Sequence, residues 1–381
     1  MDEVRGRSLG SAERAAQWGA ARPARGWATV FALAAVGASG VSAQTATWYI
    51  PTYTHDILVW DEASERVVDR ITMRNLIPNR LTANEAKTRI YSIDASGERI
   101  EVVDLASRSV TDELTLSRDN VTVRVDGFAP DPSDERAALF VKRYTALRDR
   151  YVVEGPFLLE YDLRSRQVTD TIPWPDGEPR DRGVDLRYSP DGETLYLFMD
   201  DIVALDADTF EEVDRWQISE PLEPGLGRPD FRTNPGTYDA PGVSTGLYRM
   251  RDPVQNRDML GIARVRLADK EVDFFTLGPA EPLRGFALAP GGEKAYGLYS
   301  EVGHYEFWEF DLASERVTRR QPFAGRPRMG LSASADGEKI YVYVAGNTID
   351  VYDSATFQLL RTVEFDEDMT LGNVVIVPGA R

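Results

Sequence analysis

A seven-bladed β-propeller, built from four-stranded antiparallel blades and closed by pairing the C-terminal strand with the N-terminal ones, is the fold class the sequence predicts. Three observations carry it. A strand-turn-strand pattern recurs seven times, no segment after residue 43 has helical periodicity, and the two ends of the chain are complementary halves of one blade.

The recurring unit is a β-branched or aromatic run, then Asp-x-x-Ser/Thr, then a second run. Asp61, Asp104, Asp162, Asp206, Asp311 and Asp353 open six of the turns, with Ser64, Ser107, Ser165, Thr209, Ser314 and Thr356 three residues on. Successive units lie 42 to 60 residues apart, about one propeller blade. Asp and Ser/Thr suit a tight turn because their oxygens accept hydrogen bonds from nearby backbone N–H groups, so the six aspartates are read as structural caps. In the fifth unit Arg266 replaces Asp, and Asp269 is expected to cap from the other end. A second turn signal, as in Ser189-Pro190-Asp191-Gly192 and Ala335-Asp336-Gly337, precedes alternating runs such as Thr194–Phe198.

Thr47-Trp48-Tyr49-Ile50 begins as a second strand with no first, and Asn373–Gly379 matches an innermost strand, Gly285–Gly291, with no second. Pairing the two closes the ring and removes an open edge. Cysteine is absent, so that closure must rest on packing.

Residues 1–26 hold five arginines, Trp27–Val41 is uncharged, and Val41-Ser42-Ala43 ends small-x-small. This is the pattern of a secretory signal over 1–43, cut after Ala43, which leaves a single domain over 44–381 in the periplasm or outside the cell. Fifteen apolar residues fall short of a bilayer span, and no later stretch is apolar enough, so no stable membrane insertion is expected after cleavage. An internal start codon is also compatible with the long basic segment. Residues 44–381 carry 39 Lys+Arg (44 less five) and 59 Asp+Glu (62 less three). That acidity argues against a nucleic-acid partner.

Antiparallel order sorts the connections onto two faces. The short Asp-x-x-Ser and Asp-Gly turns share one, which reads as scaffold. The variable connections share the other: Pro51–Asp56, Thr145–Pro156, Pro173–Gly183, Ser219–Arg228, Arg251–Asp258 and Ser300–Tyr305. Both histidines of the chain, His55 and His304, fall there, flanking the seventh blade, and the face also gathers Tyr53, Asp56, Arg148, Asp149, Arg150, Arg180, Asp181, Tyr305 and Glu306. These are binding-face candidates. Two histidines without a fixed carboxylate partner do not make a metal site, and no metal is assigned. No nucleophile elbow, phosphate loop or His-Glu-x-x-His motif occurs, so no catalytic residue is assigned.

The repeats resemble YVTN-type propellers. Over the whole chain after residue 43 the layout is most similar to the β subunit of quinohemoprotein amine dehydrogenase, and more distantly to the methylamine dehydrogenase heavy chain. The residues that carry this are Trp48-Tyr49-Ile50-Pro51 leading to Leu58-Val59-Trp60-Asp61, the insertion Phe140–Pro156 before Phe157–Asp162, Lys294–Tyr299 leading to Phe310-Asp311-Leu312, and Met369-Thr370-Leu371. The resemblance implies a periplasmic subunit that binds no cofactor itself and supports a quinone-bearing γ subunit and a dihaem α subunit in primary amine oxidation. A chain without cysteine fits that division, since it can hold neither a cysteine-tryptophan quinone nor covalent haem. Two alternatives stay open: a stand-alone propeller binding a protein or small ligand, and a lactonase-like hydrolase, which would need polar groups converging on the central channel.

Overall fold

The computed structural model describes residues 44–75, 77–180, 183–219, 227, 229–231, 236–344, 346–369 and 372–379. The expected signal segment lies outside the described residues. Seven four-stranded antiparallel sheets form, and the described residues contain no helix. The first blade joins 46–72 to the C-terminal strand Val375–Pro378. The other six follow in order over 78–115, 121–172, 185–216, 229–279, 283–322 and 329–369.

The continuous apolar runs have a simple cause. The second and third strands of each blade are covered on both faces by neighbouring blades, so the side chains along them are predominantly apolar. Ile57, Leu58, Val59 and Trp60 are all fully buried, whereas the outermost strand Arg66–Thr72 is mostly exposed. The core is therefore divided among the seams between blades. Tyr49, Val59 and Ile71 pack on Leu81 and Ile90 between the first and second blades, and Ala138 and Phe140 pack on Leu195 and Leu197 between the third and fourth.

All seven outer turns share one conformation. Glu65, Arg108, Arg166, Phe210, Lys270, Glu315 and Phe357 have positive φ of 50 to 60°. Each follows the Ser/Thr (Asp269 in the fifth blade), and in the first blade the next strand carries a bulge. A side chain in this left-handed region needs outside support, and the aspartate supplies it. Asp61 Oδ2 accepts Ser64 N at 2.8 Å and Ser64 Oγ at 2.5 Å, and Asp311 and Asp353 make the same pair of bonds to Ser314 and Thr356. Those bonds hold the carboxyls of Asp61, Asp311 and Asp353 below the usual range. In the fifth blade Asp269 meets the Arg266 guanidinium at 3.2 Å, and Lys270 N bonds Leu267 O. An ion pair stands there in place of the cap.

Ring closure is an antiparallel pairing of Ala46–Tyr49 with Val375–Pro378. Ile376 enters the seam between the seventh and first blades, where Trp48, Trp60 and Tyr341 pack edge to face. Asn373 adds a clasp to the second blade: its Oδ1 accepts Leu81 N at 2.9 Å and its Nδ2 donates to Leu81 O at 2.6 Å. Asn373→Ala is expected to lower stability by about 1 kcal/mol in urea denaturation, the usual worth of lost hydrogen bonds at a part-exposed site.

Glutamates complete the same seam. Glu65 bonds Lys339 Nζ at 2.8 Å and contacts Arg361, while both Glu62 oxygens lie 3.2 Å from Ala335 N. Burial, helped by Asp336, raises the Glu62 carboxyl from its ordinary 4.5 to about 7. The folded chain thus keeps a proton that the unfolded chain releases above pH 4.5, so this group's contribution to stability falls as pH rises through that window. Glu62→Gln is expected to gain about 1–2 kcal/mol on its parent between pH 5 and pH 8, a figure discounted for solvent screening. Urea midpoints of the two proteins at both pH values measure the difference, and parallel pH profiles would refute it.

One connection departs from the expected pattern of short turns on the scaffold face. In the fifth blade the first and second strands are joined by 232–242, of which 236–242 is described. Tyr238 reaches from it across the sixth blade to Ala333 O at 3.1 Å. Pro241-Gly242 stands there in place of the Asp-Gly signal, and the longer chain is held as a strap, with Asp239 accepting Gly236 N and Thr245 N.

Candidate binding face

The variable connections, where they are described, lie together on the face opposite the Asp-x-x-Ser turns and place the sequence candidates in three groups; most of Ser219–Arg228 lies outside the described residues. In the first blade the turn Thr52–His55 is pinned from below. Thr52 is buried and its N and Oγ1 both donate to Asp56 O, His55 has φ of 74°, and Met73 N donates to His55 O. Tyr53 N donates to Asp368 O of the seventh blade, and its ring is about half exposed. Asp56 is engaged by Arg70 at 3.2 Å, and the same guanidinium meets Asp366 at 3.2 Å and contacts Glu367. This cluster ties the first blade to the seventh.

The second group is in the sixth blade. Glu306 is its hub: it meets His304 Nε2 at 2.8 Å, Trp308 Nε1 at 2.9 Å and Arg320 Nε at 2.9 Å. Burial pushes the Glu306 carboxyl up, but the bonds from Arg320, His304 and Trp308 outweigh it and hold the group below the usual glutamate range. Tyr299 packs edge-on to His304 at 5.4 Å, and Arg320 lies 4.1 Å over Trp308. Tyr305 does not belong to the face. Strand alternation turns it the other way, into the seam with the seventh blade, where it is 8% exposed and packs beside Phe323.

The third group is in the third blade. Arg148 and Arg150 sit at the tip of a hairpin with Asp149, which pairs with Arg150 at 3.3 Å, and all three are exposed. Arg180 lies over Trp174 at 5.4 Å, and Trp174 Nε1 donates to Glu178 O. Asp181 lies outside the described residues. The segment 145–156, read from sequence as a loop, is mostly strand. Tyr151–Glu154 pairs with Arg143–Ala146, and Val121–Val123 pairs in turn with Arg143–Thr145.

The candidates are therefore not brought to one point. They occupy the first, third and sixth blades, and the two histidines are held in separate local networks on either side of the seventh. Among the described residues no group of three His, Asp or Glu side chains could hold a metal ion, and no helix is long and apolar enough to cross a membrane. Around the channel, inner-strand polar groups join blade to blade. Arg80 donates to Val125 O and Asp126 O of the third blade, and Arg187 donates to Ser244 of the fifth. Burial pushes the Arg187 guanidinium down to about 10.

Sequence reasoning placed Glu306 on this face but not at the centre of a network, and it missed the Glu62–Glu65 seam. An alternation signal was present for the first, since His304, Glu306 and Trp308 share parity. None was present for the second, whose partners lie more than 270 residues away.

No protein-family model matches the chain, and no curated protein matches it. Solved structures do. Apo AztD from Citrobacter koseri is 14% identical over 88% of this chain and 99% of its own, with a TM-score of 0.54. Dihydro-heme d1 dehydrogenase NirN, in complex with DHE, is 12% identical over 86% of this chain and 74% of its own, also at 0.54. A functionally unknown protein from Desulfotomaculum acetoxidans is 11% identical over 87% and 98%, at 0.53. At such identities the likeness is one of fold, and this chain is a seven-bladed β-propeller.

Proposed function

We propose that this chain is an exported propeller that binds no cofactor itself and works by holding a protein partner on its variable-loop face. One observation carries the reading. On that face the polar side chains best suited to chemistry are spent in local networks, whereas the hairpin of the third blade stands out from the ring with Leu147, Tyr151 and Val153 exposed. Exposed apolar residues on a projecting, ordered element suit a contact surface better than a reaction centre. The tying of Arg80 and Arg187 to neighbouring blades also weighs against a hydrolase in the channel.

The layout resemblance gives this role its most specific form: the β-like subunit of an amine dehydrogenase complex, supporting a quinone-bearing small subunit beside a haem subunit. Purification from the native host under mild conditions tests both levels. Stoichiometric co-purification of a protein partner is expected, with haem absorbance and amine-dependent dye reduction if the complex is of that type. A partner without haem or quinone would remove the amine dehydrogenase form. A colourless single chain would overturn the binding role itself.

A further inference from the structure

The hairpin of the third blade leaves one strand edge open. Its returning strand, Tyr151–Asp162, pairs with the outermost strand only from Leu158 onward, so residues 151–157 have a partner on one side alone among the described residues. The regular part of that stretch, Tyr151–Glu154, ahead of the irregularity between Glu154 and Phe157, is roughly 13 Å long at 3.3 Å per residue. Leu147 N donates to Arg150 O, which makes these two a hydrogen-bonded pair. Counting down the ladder, Thr145 and Val152 are the next bonded pair, and Tyr151 and Val153 turn their N–H and C=O groups away from the hairpin, towards the open edge. These two residues are also 73% and 61% exposed.

Natural sheets protect such an edge with charge, proline or a covering segment. Pro156 closes only its far end, and Tyr151 and Val153 are neither charged nor covered. Their side chains share a face with Tyr144 and Ala146, so the edge presents backbone pairing groups beside an apolar strip. The surrounding charge is unlike that of the whole chain. Residues 142–154 carry Lys142, Arg143, Arg148 and Arg150 against Asp149 and Glu154, an excess of two positive charges, in a protein of formal net charge -18. An edge this long reaches beyond a Debye length of about 8 Å at physiological salt, so a partner at the tip meets the arginines more than the acidic ring.

We propose that this edge is a β-addition site, at which an extended acidic segment of a partner protein pairs with Tyr151 and Val153 and sets its carboxylates against Arg148 and Arg150. Backbone pairing supplies the affinity and the arginines select the sign of the segment. A second copy of this chain is a poorer occupant, because it would bring two bodies of net charge -18 together.

This rests on the binding role proposed above, and the test separates the two. The full chain from Gln44 onward is titrated into a fluorescein-labelled ten-residue peptide alternating valine with glutamate, and into its lysine counterpart. The glutamate peptide is expected to bind at least tenfold more tightly, and to slow amide hydrogen exchange at Tyr151 and Val153. Arg148→Glu with Arg150→Glu should lose at least tenfold in affinity for it. Val153→Pro should abolish binding while keeping the parent thermal midpoint, because the N–H it removes points outward. Equal binding of both peptides, unchanged exchange at Tyr151 and Val153, or full binding by Val153→Pro would each overturn the proposal. So would a dimer in sedimentation that Val153→Pro disperses, which would make a second copy the occupant. If Val153→Pro still co-purifies its native partner, the binding role stands and this site fails. If the chain has no native partner yet the peptide protects Tyr151 and Val153, the site stands and the role fails.

Discussion

Deleting residues 372–381 is expected to abolish cooperative unfolding of the propeller. The deleted segment is short, but it supplies a whole strand of the first blade, paired with Ala46–Tyr49, and it puts Ile376 into the seam with the seventh blade and Val375 and Val377 against the seam with the second. One buried isoleucine and three half-buried valines are together worth about 5 kcal/mol of apolar burial. That is comparable with the whole net stability of an ordinary domain, about 5–15 kcal/mol. The deletion also opens the edge of Thr47–Tyr49 to pairing between molecules, so soluble aggregates are expected to accompany the loss. Circular dichroism in a urea series measures it. Adding the peptide 372–381 in trans should restore part of the transition, and Ile376→Asp in the full chain should reproduce much of the deletion. An unchanged midpoint in the shortened chain would show that blade packing alone holds the ring.

The closure was legible because an unmatched first strand leaves its imprint at both ends of the chain, and the blades because two-sided burial writes continuous apolar runs. The outer turns were legible for another reason: Asp61 and Ser64 interact three residues apart, within one window of sequence. Contacts between blades have no such period. Nothing near Glu65 announces Lys339 or Arg361, and nothing near Asp56 announces Asp366. The candidate face was readable as a set of connections, since strand order alone decides which end of the ring each loop occupies. Its chemistry was not. Whether a side chain points to solvent or into a seam depends on parity within the strand, and that parity puts Tyr305 in the core while leaving His304 beside Glu306. The open edge at Tyr151 was hidden in a segment whose polar tip reads as loop.

Trp60→Ala is expected to destabilise the ring by about 3–5 kcal/mol, the range for removing a fully buried tryptophan. Trp60 and Trp48 are directly opposed on adjacent strands, both fully buried, with ring centroids 5.3 Å apart at 83°. Tyr341 of the seventh blade stands edge-on to each, at 4.9 Å from Trp48 and 5.5 Å from Trp60. The three rings therefore form the middle of the closing seam, and a cavity there loosens the packing of the first blade on the seventh. Their polar atoms add a second, sharper expectation. Among the described residues, Trp48 Nε1, Trp60 Nε1 and Tyr341 Oη are buried without a hydrogen-bond partner. Removing a buried hydroxyl that makes no bond relieves desolvation and loses no pairing. Tyr341→Phe should consequently leave the urea midpoint unchanged or raise it, while Tyr341→Ala, which also removes the ring, should fall with Trp60→Ala. If Tyr341→Phe instead loses more than about 1 kcal/mol, the hydroxyl is bonded in solution and the seam is held by a polar contact as well as by its rings.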